Sequence, residues 1–269
     1  MIHDCVLTIA GSDSGGNAGV QADLRAFHSY SLHGCTVFAA LTAQNPFGVS
    51  AIHPVPAQFV AAQLDAVLGT YSIKALKTGM LSDPAVIEVV ASRLAKRPEI
   101  VKVIDPVMVA TSGAALATAP AVAAIRKHLI PLATVITPNI PEAGVLLERS
   151  GVGAASGAGA MRDTARALAE SYGVAVLLKG GHGDGPVALD VLCDRDGNVT
   201  EYAAERIANP VSTHGTGCSL AAALAAELAL GRPLAAAVAG AKEYVRRAIE
   251  NSYLVGENGC GVLGFVERR

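Results

Sequence analysis

The spacing of its short apolar segments constrains the fold of this chain more than any other feature. Six runs rich in β-branched residues and leucine recur along the sequence, and each predicts a buried strand: residues 5–11, 35–43, 73–79, 101–107, 134–139 and 174–181. Strands this apolar are typical of a parallel sheet that is covered on both faces. Their alternation with helix-length segments predicts an α/β fold, in which helices flank a mostly parallel central sheet in three layers.

The intervening segments supply the helices that such a sheet requires. Asp83 can cap a helix whose first residue is Pro84, which is a strong helix start. The predicted helices begin near Ala18 and after Gly217, and span residues 56–71, 83–96 and 234–250.

Two further segments indicate how the chain is organised. Residues 186–194 and 198–205 lie on either side of Gly197 and predict a late hairpin. The Gly-, Ala- and Ser-rich stretch 150–161 is too short for an interdomain tether, so it predicts a surface loop. We therefore expect one domain over residues 1–269.

Charge and composition restrict the class of partner. The net charge is −2 and no block of like charge stands out, so we expect no nucleic-acid partner and no polybasic membrane patch. The longest uncharged stretches, 106–125 and 207–226, are interrupted by proline and polar residues and do not predict a membrane-spanning helix. The sequence shows no export signal, and its five scattered cysteines form no CxxC pair. These features predict a cytoplasmic protein with a small-molecule substrate.

The segment "THGTGCSLAAALAAELALG" (213–231) joins a glycine-rich turn to an apolar helix. Such a turn leaves backbone N–H groups unpaired at a helix N-terminus, where the helix dipole also favours an anion. The segment is not a P-loop, because no GK[ST] follows. An anion site and a plain structural turn both fit this pattern.

Cys218 lies where the turn meets the helix. A helix N-terminus lowers the pKa of a thiol, so a thiolate is expected there near neutral pH. Such a thiolate could accept a proton from an attacking hydroxyl. The alternative is that Cys218 is a buried small hydrophobe, which is the common fate of a free cysteine.

Other polar residues follow the predicted strands. Asp23 lies on the first helix and could turn back toward a substrate or face solvent. Asn139 and Glu142 have the spacing of a capping box, and they could also hold Mg²⁺ through water. Lys179 ends an apolar strand and needs a counter-charge, which a nucleotide phosphate would provide.

Seven motifs in order resemble the phosphomethylpyrimidine kinases of the ribokinase superfamily. They are "TIAGSDSGGNAGVQADL", "ALTAQN", "KTGML", "DPVMVATSG", "ITPNIPEA", "LLKGGH" and "HGTGCSLAAALAAELALG". The resemblance runs from about residue 5 to about residue 250. It implies a ribokinase-like fold and an enzyme that uses ATP and Mg²⁺ to phosphorylate a hydroxymethylpyrimidine and then its monophosphate. It also implies a homodimer.

The resemblance assigns a role to each candidate residue. Cys218 would activate the substrate hydroxyl, and Gly215, Thr216 and Gly217 would form an anion hole for the transferred phosphoryl group. On the acceptor side, the resemblance implies that Asp23 and Gln44 bind the pyrimidine and that the pocket is shaped by Gly11, Ala18, Met80 and Val107. On the nucleotide side, it implies that Mg²⁺ and phosphates are bound by Asp105, Asn139 and Glu142. It also implies that Lys179 and Thr213 contact the ATP phosphates and that Lys242 lies near the nucleotide.

The sequence departs from the family pattern in two places. Asn17 replaces the usual glycine or alanine, so we expect its side chain to enter a loop that lines the pocket. Residues 255–265 do not match the usual tail, and we expect that difference to change packing only.

Three other functions are compatible with parts of this pattern. A pyridoxal or pyridoxine kinase would also phosphorylate a hydroxymethyl group on a small aromatic ring. A non-catalytic pyrimidine-binding regulator would keep the fold without the chemistry. A cysteine-nucleophile hydrolase or acyltransferase would need a base beside Cys218, for which His214 is the nearby candidate in sequence.

Overall fold

A nine-stranded sheet forms the middle layer of the structure. The computed structural model describes residues 4–108, 117–148, 157–181 and 185–264. The strands are β1 (Cys5–Asp13), β2 (His33–Asn45), β3 (Gly48–Pro54), β4 (Ile73–Thr78), β5 (Val101–Ile104), β6 (Val135–Ile136), β7 (Ala175–Lys179), β8 (Val187–Cys193) and β9 (Val199–Glu205). Their order across the sheet is β3-β2-β1-β4-β5-β6-β7-β8-β9.

The strands predicted from apolar runs form the parallel part of this sheet. β2, β1, β4, β5, β6 and β7 pair in parallel, whereas β3, β8 and β9 pair antiparallel to their neighbours. The predicted late hairpin is the β8–β9 pair. The carboxyl ends of the parallel strands meet at one edge, where the ligands of open α/β sheets bind.

Helices cover both faces of the sheet. They are α1 (Gly19–Ser29), α2 (Ala57–Thr70), α3 (Pro84–Leu94), α4 (Ala119–Ala124), α5 (Ile140–Leu146), α6 (Ala158–Tyr172), α7 (Thr216–Ala229) and α8 (Leu234–Glu250). A core that includes residues of α1, α7 and α8 fills one side, and a second core that includes residues of α2 to α6 fills the other. The predicted three-layer arrangement is confirmed.

Local capping explains where two of these helices begin. The Asp83 side chain accepts a hydrogen bond from Ala85 N–H, with Pro84 in the first turn of α3, as the sequence predicts. Gly215 precedes α7 in the left-handed conformation, at φ 86°. That conformation favours glycine because it has no Cβ.

Three strands were not predicted. β3 pairs with the end of β2, and β10 (Tyr253–Val255) pairs with β11 (Cys260–Val262) in a separate two-stranded sheet. Most of β3 is exposed, so it lacks the pattern of burial by which a strand is recognised.

Parts of three predicted features lie outside the described residues. They are residues 150–156 of the predicted surface loop, residues 109–113 of the "DPVMVATSG" motif, and His182 of "LLKGGH". The prediction of a loop was wrong for residues 158–161, which form the first turn of α6. Within the described ranges, no helix is both long enough and apolar enough to cross a membrane.

Candidate active site

A cavity of about 420 Å³ lies at the carboxyl edge of the parallel strands. Its walls include residues at the ends of β1, β4 and β7 and residues at the start of α1, α5 and α7. Every predicted site residue except Asp23 and Lys242 lines it. The strand-end motifs, which are far apart in sequence, therefore form one site.

The turn before α7 forms one wall of the cavity. Gly215 precedes the helix, and Thr216, Gly217 and Cys218 occupy its first turn. The N–H groups of a first helical turn have no intrahelical partner. Thr216 N–H donates to the Thr213 carbonyl at 3.4 Å. The anion-binding capacity of this turn therefore rests chiefly on Gly217 and Cys218.

The thiol of Cys218 is in a different electrostatic state from the one expected. Burial raises the pKa of Cys218, and the negative charges of Asp23 and Asp105 raise it further. Lys77 and the Gly19 N–H group oppose this rise without cancelling it. The prediction of a lowered pKa was therefore wrong, because it considered the helix N-terminus but not the buried carboxylates on neighbouring elements.

Lys179 and two carboxyl groups form a cluster opposite this turn. Lys179 Nζ donates to Asp105 Oδ1 at 2.8 Å, and Asp105 Oδ1 also accepts from the Thr137 hydroxyl at 2.8 Å. A Cβ added to Gly217 would lie 3.7 Å from Lys179 Nζ, so the ammonium group also adjoins the anion turn. Although burial disfavours its charge, Asp105 and Glu142 raise the pKa of Lys179. Its counter-charge in this structure is Asp105.

Asn139 and Glu142 combine two of the predicted roles. They form a complete capping box, in which the Asn139 side chain accepts from Glu142 N–H at 2.9 Å and Glu142 Oε2 accepts from Asn139 N–H at 2.8 Å. Both residues also line the cavity. Burial raises the pKa of Glu142 to about 7, and Asp105 adds to this rise, while Lys179 opposes it.

This cluster fits a divalent cation. Mg²⁺ binds through few carboxylates and keeps most of its water ligands. Asp105 and Glu142 share the positive charge of Lys179, and burial, with a further contribution from Asp105, keeps the pKa of Glu142 raised despite that lysine. A cation held by Asp105, Glu142 and Asn139 would supply the missing positive charge.

Asp23 is not in the position that its implied role requires. It is fully buried and does not line the cavity. Its carboxylate accepts from the Thr8 hydroxyl at 2.5 Å and from Lys77 Nζ at 2.9 and 3.0 Å. The structure thus makes Asp23 the counter-ion of Lys77, and it contradicts a direct hydrogen bond from Asp23 to a pyrimidine.

Lys77 is a cavity residue that the sequence analysis missed. Against the opposing effect of burial, Asp23 and then Cys218 raise the pKa of Lys77, so its ammonium group is charged. A signal was present, because Lys77 is a lysine inside an apolar strand, which is the argument applied above to Lys179.

Two other residues lie outside the lining of the cavity. Lys242 does not line the cavity, and its Nζ donates to Asp190 Oδ2 at 2.6 Å and to the Ala188 carbonyl at 3.0 Å. It therefore joins α8 to β8. Asn17 is buried in the loop whose residues Asp13 and Ala18 line the cavity, and it is not itself among the lining residues.

His214 does not support a cysteine hydrolase. Its Nε2 atom is buried and lies 3.8 Å from Asp13 Oδ2, so the imidazole faces a carboxylate of another loop. The groups whose charges act on Cys218 are Lys77, Asp23 and Asp105. His214 is not placed to act as the base of a nucleophilic thiol.

An anion turn, a lysine–carboxylate cluster and an adjoining apolar pocket at the carboxyl edge of an αβα sheet are typical of enzymes that transfer phosphoryl groups to small molecules. Sequence comparison then defines the family. Residues 13–263 match the family model described as phosphomethylpyrimidine kinase, and the chain belongs to that family.

Individual relatives agree with this assignment. The chain is 43% identical over 255 residues to a hydroxymethylpyrimidine/phosphomethylpyrimidine kinase of Haemophilus influenzae, which covers 94% of this chain and 93% of the relative. Among solved structures, it is similar to the phosphomethylpyrimidine kinase of Clostridium difficile, with a TM-score of 0.79, 36% identity, and coverage of 91% of this chain and 99% of that one. The predicted family and the ribokinase-like fold are confirmed.

A solved pyridoxal kinase is similar in structure as well. The chain aligns with an ADP complex of Bacillus subtilis pyridoxal kinase at a TM-score of 0.88 and 32% identity, covering 99% of this chain and 98% of that one. Membership of the kinase family implies the use of ATP. The similarity to a pyridoxal kinase makes pyridoxal the acceptor that most needs to be compared with the pyrimidine.

Proposed function

We propose that the chain transfers the γ-phosphoryl group of ATP to 4-amino-5-hydroxymethyl-2-methylpyrimidine, and then phosphorylates the monophosphate to the diphosphate, in thiamin biosynthesis. One observation carries this proposal. A single cavity is lined both by the predicted acceptor residues Gly11, Gln44 and Met80 and by the predicted phosphate residues, Lys179 among them. The names of the curated relatives support the choice of acceptor.

Different residues of the chain would have different roles in the transfer. Gly11 accommodates Met80, because a Cβ at residue 11 would lie 2.5 Å from Met80 Cε, so these two residues shape the acceptor wall together. The N–H groups of Gly217 and Cys218 and the Lys179 ammonium group would stabilise charge on the transferred phosphoryl group. The Cys218 thiolate would accept the hydroxyl proton. Because the transition state is loose, positioning contributes more than the strength of the base.

We propose Mg²⁺ as the metal, held by Asp105, Glu142 and Asn139. Bound there, it would neutralise negative charge on the phosphates of ATP. The raised pKa of Glu142 supports this role, because a carboxyl group that burial keeps partly protonated gains most from a nearby cation.

Binding of Mg²⁺–ATP should therefore release protons below pH 7. Glu142 has a pKa of about 7, and a bound cation favours its ionised form. The release should approach one proton per site at pH 6 and fall toward zero at pH 8. Titration calorimetry in two buffers with different ionisation enthalpies measures this number. Glu142→Gln retains an acceptor for the capping box and should abolish the pH dependence. An unchanged release in that variant would exclude Glu142 as its source.

The activity test compares three acceptors. Purified protein, ATP and Mg²⁺ would be incubated separately with hydroxymethylpyrimidine, its monophosphate and pyridoxal, with an acceptor-free control, and the products identified by mass. We expect turnover of both pyrimidines and formation of the diphosphate. Turnover of pyridoxal alone would assign the chain to vitamin B6 salvage. Binding of the pyrimidine without turnover of any acceptor would indicate a non-catalytic regulator.

We further propose a cytoplasmic homodimer. No disulfide joins the cysteines within the described part of the chain, which suits a reducing compartment. Leu41, Phe47 and Ile52, on and between β2 and β3, are exposed, with Phe47 73% accessible. Apolar side chains grouped at a sheet edge favour association. Light scattering would reject the dimer if the purified chain has the mass of a monomer.

A further inference from the structure

One carboxylate organises the turn between β1 and α1. Asp13 Oδ1 accepts from Gly15 N–H at 2.8 Å, and Oδ2 accepts from the N–H groups of Asn17 and Ala18 at 2.9 and 2.8 Å. Ala18 is the N-cap residue of α1 and has no side-chain acceptor. Asp13 thus pairs three backbone N–H groups of the turn that leads into α1.

A second loop places a histidine against the same carboxylate. His214 Nε2 lies 3.8 Å from Asp13 Oδ2, which is within reach of an ion pair but too long for a hydrogen bond. This nitrogen is buried and makes no hydrogen bond to the residues that the structure describes, and the carboxylate of Asp13 lies within ion-pair distance of it. Although burial opposes ionisation, His214 and the three backbone N–H groups lower the pKa of Asp13. The carboxylate that faces the imidazole is therefore ionised.

The two loops are also in direct backbone contact. A Cβ added to Gly215 would lie only 1.9 Å from the Asn17 carbonyl oxygen. The first loop, residues 13–19, is thus packed against the second loop, residues 213–218. A contact of this kind sets how close the loops can come, but it has little directional preference. The Asp13–His214 contact adds an electrostatic interaction between them.

One loop contributes to the acceptor wall of the cavity, and the other forms the anion turn. Ala18 and Gly19 belong to the wall formed by the start of α1, and Gly217 and Cys218 belong to the anion turn, with all four lining one cavity. The Gly19 N–H group also interacts with the Cys218 sulfur and opposes the rise in its pKa. Displacement of one loop would change the distance between the acceptor hydroxyl and the phosphoryl group. Misplacement by about 1 Å can lower a rate by about 100-fold.

We propose that Asp13 and His214 are positioning residues that hold the acceptor loop against the anion turn and so set the distance for phosphoryl transfer. This inference rests on the proposed kinase function. Both residues also line the cavity, and the role proposed for them is to hold the two loops together rather than to contact the reacting atoms. Their effect is on the rate of the bound complex rather than on the affinity for either substrate.

The test is a double-mutant cycle in steady-state kinetics. His214→Leu should lower kcat roughly 30-fold or more, while KM for ATP and for the pyrimidine changes less than about threefold, because alignment is lost and binding is kept. His214→Gln places an amide donor near the position of Nε2 and should recover most of kcat. In an Asp13→Asn background, His214→Leu should cost less than about threefold more, because the pair is already broken. His28→Leu, at an exposed histidine on α1, is the matched control and should leave kcat unchanged.

Several outcomes would overturn the inference. They are equal losses from His214→Leu in both backgrounds, an unchanged kcat, or a raised KM with kcat preserved. If His214→Leu does not fold, His214→Gln in the two Asp13 backgrounds gives the same comparison, and full additivity would again reject the pair. The wild-type protein is measured first. Absence of its turnover with every acceptor would reject the proposed function, whereas wild-type turnover with additive variants would reject only the positioning role.

Discussion

Replacing Cys218 with alanine should lower kcat by about 100- to 10,000-fold, which is the range expected for loss of a group that transfers a proton. Binding of ATP and of the pyrimidine should change less than about threefold, because neither ligand depends on the thiol for most of its contacts. Single-turnover kinetics together with calorimetric binding would separate the two effects. Equal losses of rate and affinity would instead indicate that Cys218 packs against the ligands.

The pH dependence of the wild-type enzyme gives a sharper test of the same role. Burial and two carboxylates raise the pKa of Cys218 above the ordinary thiol value of about 8.5, so the thiolate is a minority form at pH 7. If thiolate is the base, kcat should rise about tenfold per pH unit from pH 6 until the pKa is reached. A rate that is constant between pH 6 and pH 9 would exclude the thiolate as the base.

Aspartate at this position is the matched comparison. Cys218→Asp supplies a carboxylate, which ionises at lower pH than a thiol, so its kcat should reach a plateau at lower pH than that of the wild type. Cys218→Ser keeps the size of the side chain but has a hydroxyl that does not ionise in this range, and it should behave like Cys218→Ala. Activity of the serine variant equal to that of the wild type would assign Cys218 a steric role.

The sequence predicts most of the scaffold because the parallel strands carry their own signal. β1, β4 and β7 are almost completely buried, and their apolar runs read as strands without tertiary information. β3 carries no such signal, because it is an exposed edge strand that is recognised only by its pairing with β2. The same reasoning explains why fourteen-residue α7, with its glycine turn, was easier to predict than the short β10–β11 hairpin.

The site is less predictable than the fold because the partners of its side chains are set by the tertiary structure. Asp23 was expected in the pocket, but its carboxylate reaches Lys77, which lies 54 residues away in sequence. The predicted direction of the Cys218 pKa shift was wrong for a related reason. The helix N-terminus is visible in the sequence around Cys218, whereas burial and the charge of Asp105 depend on the tertiary structure. By contrast, Asn139 and Glu142 were placed correctly as a capping box, because the two residues are only three positions apart in one turn. Spacing along the chain predicts local hydrogen bonds, and it does not identify the counter-ion of a buried charge.

Lys77→Met should lower the free energy of unfolding by about 3–5 kcal/mol, because it leaves Asp23 as a buried charge without its ion-pair partner. Both side chains of this pair are fully buried. Asp23→Asn should cost a similar amount, since the Lys77 ammonium group then loses two hydrogen bonds to carboxylate oxygens. Urea unfolding of the ligand-free protein, monitored by circular dichroism, measures both values.

The double variant decides whether the cost comes from the broken pair. With Asp23→Asn and Lys77→Met together, no isolated charge remains, and stability should return to within about 1–2 kcal/mol of the wild type. Arg93→Met is the matched control, because Arg93 pairs with Asp65 at the surface and should cost less than about 1 kcal/mol. If the two single losses simply add in the double variant, Asp23 and Lys77 stabilise the fold independently, and the buried ion pair is not the interaction that holds Lys77 at the wall of the cavity.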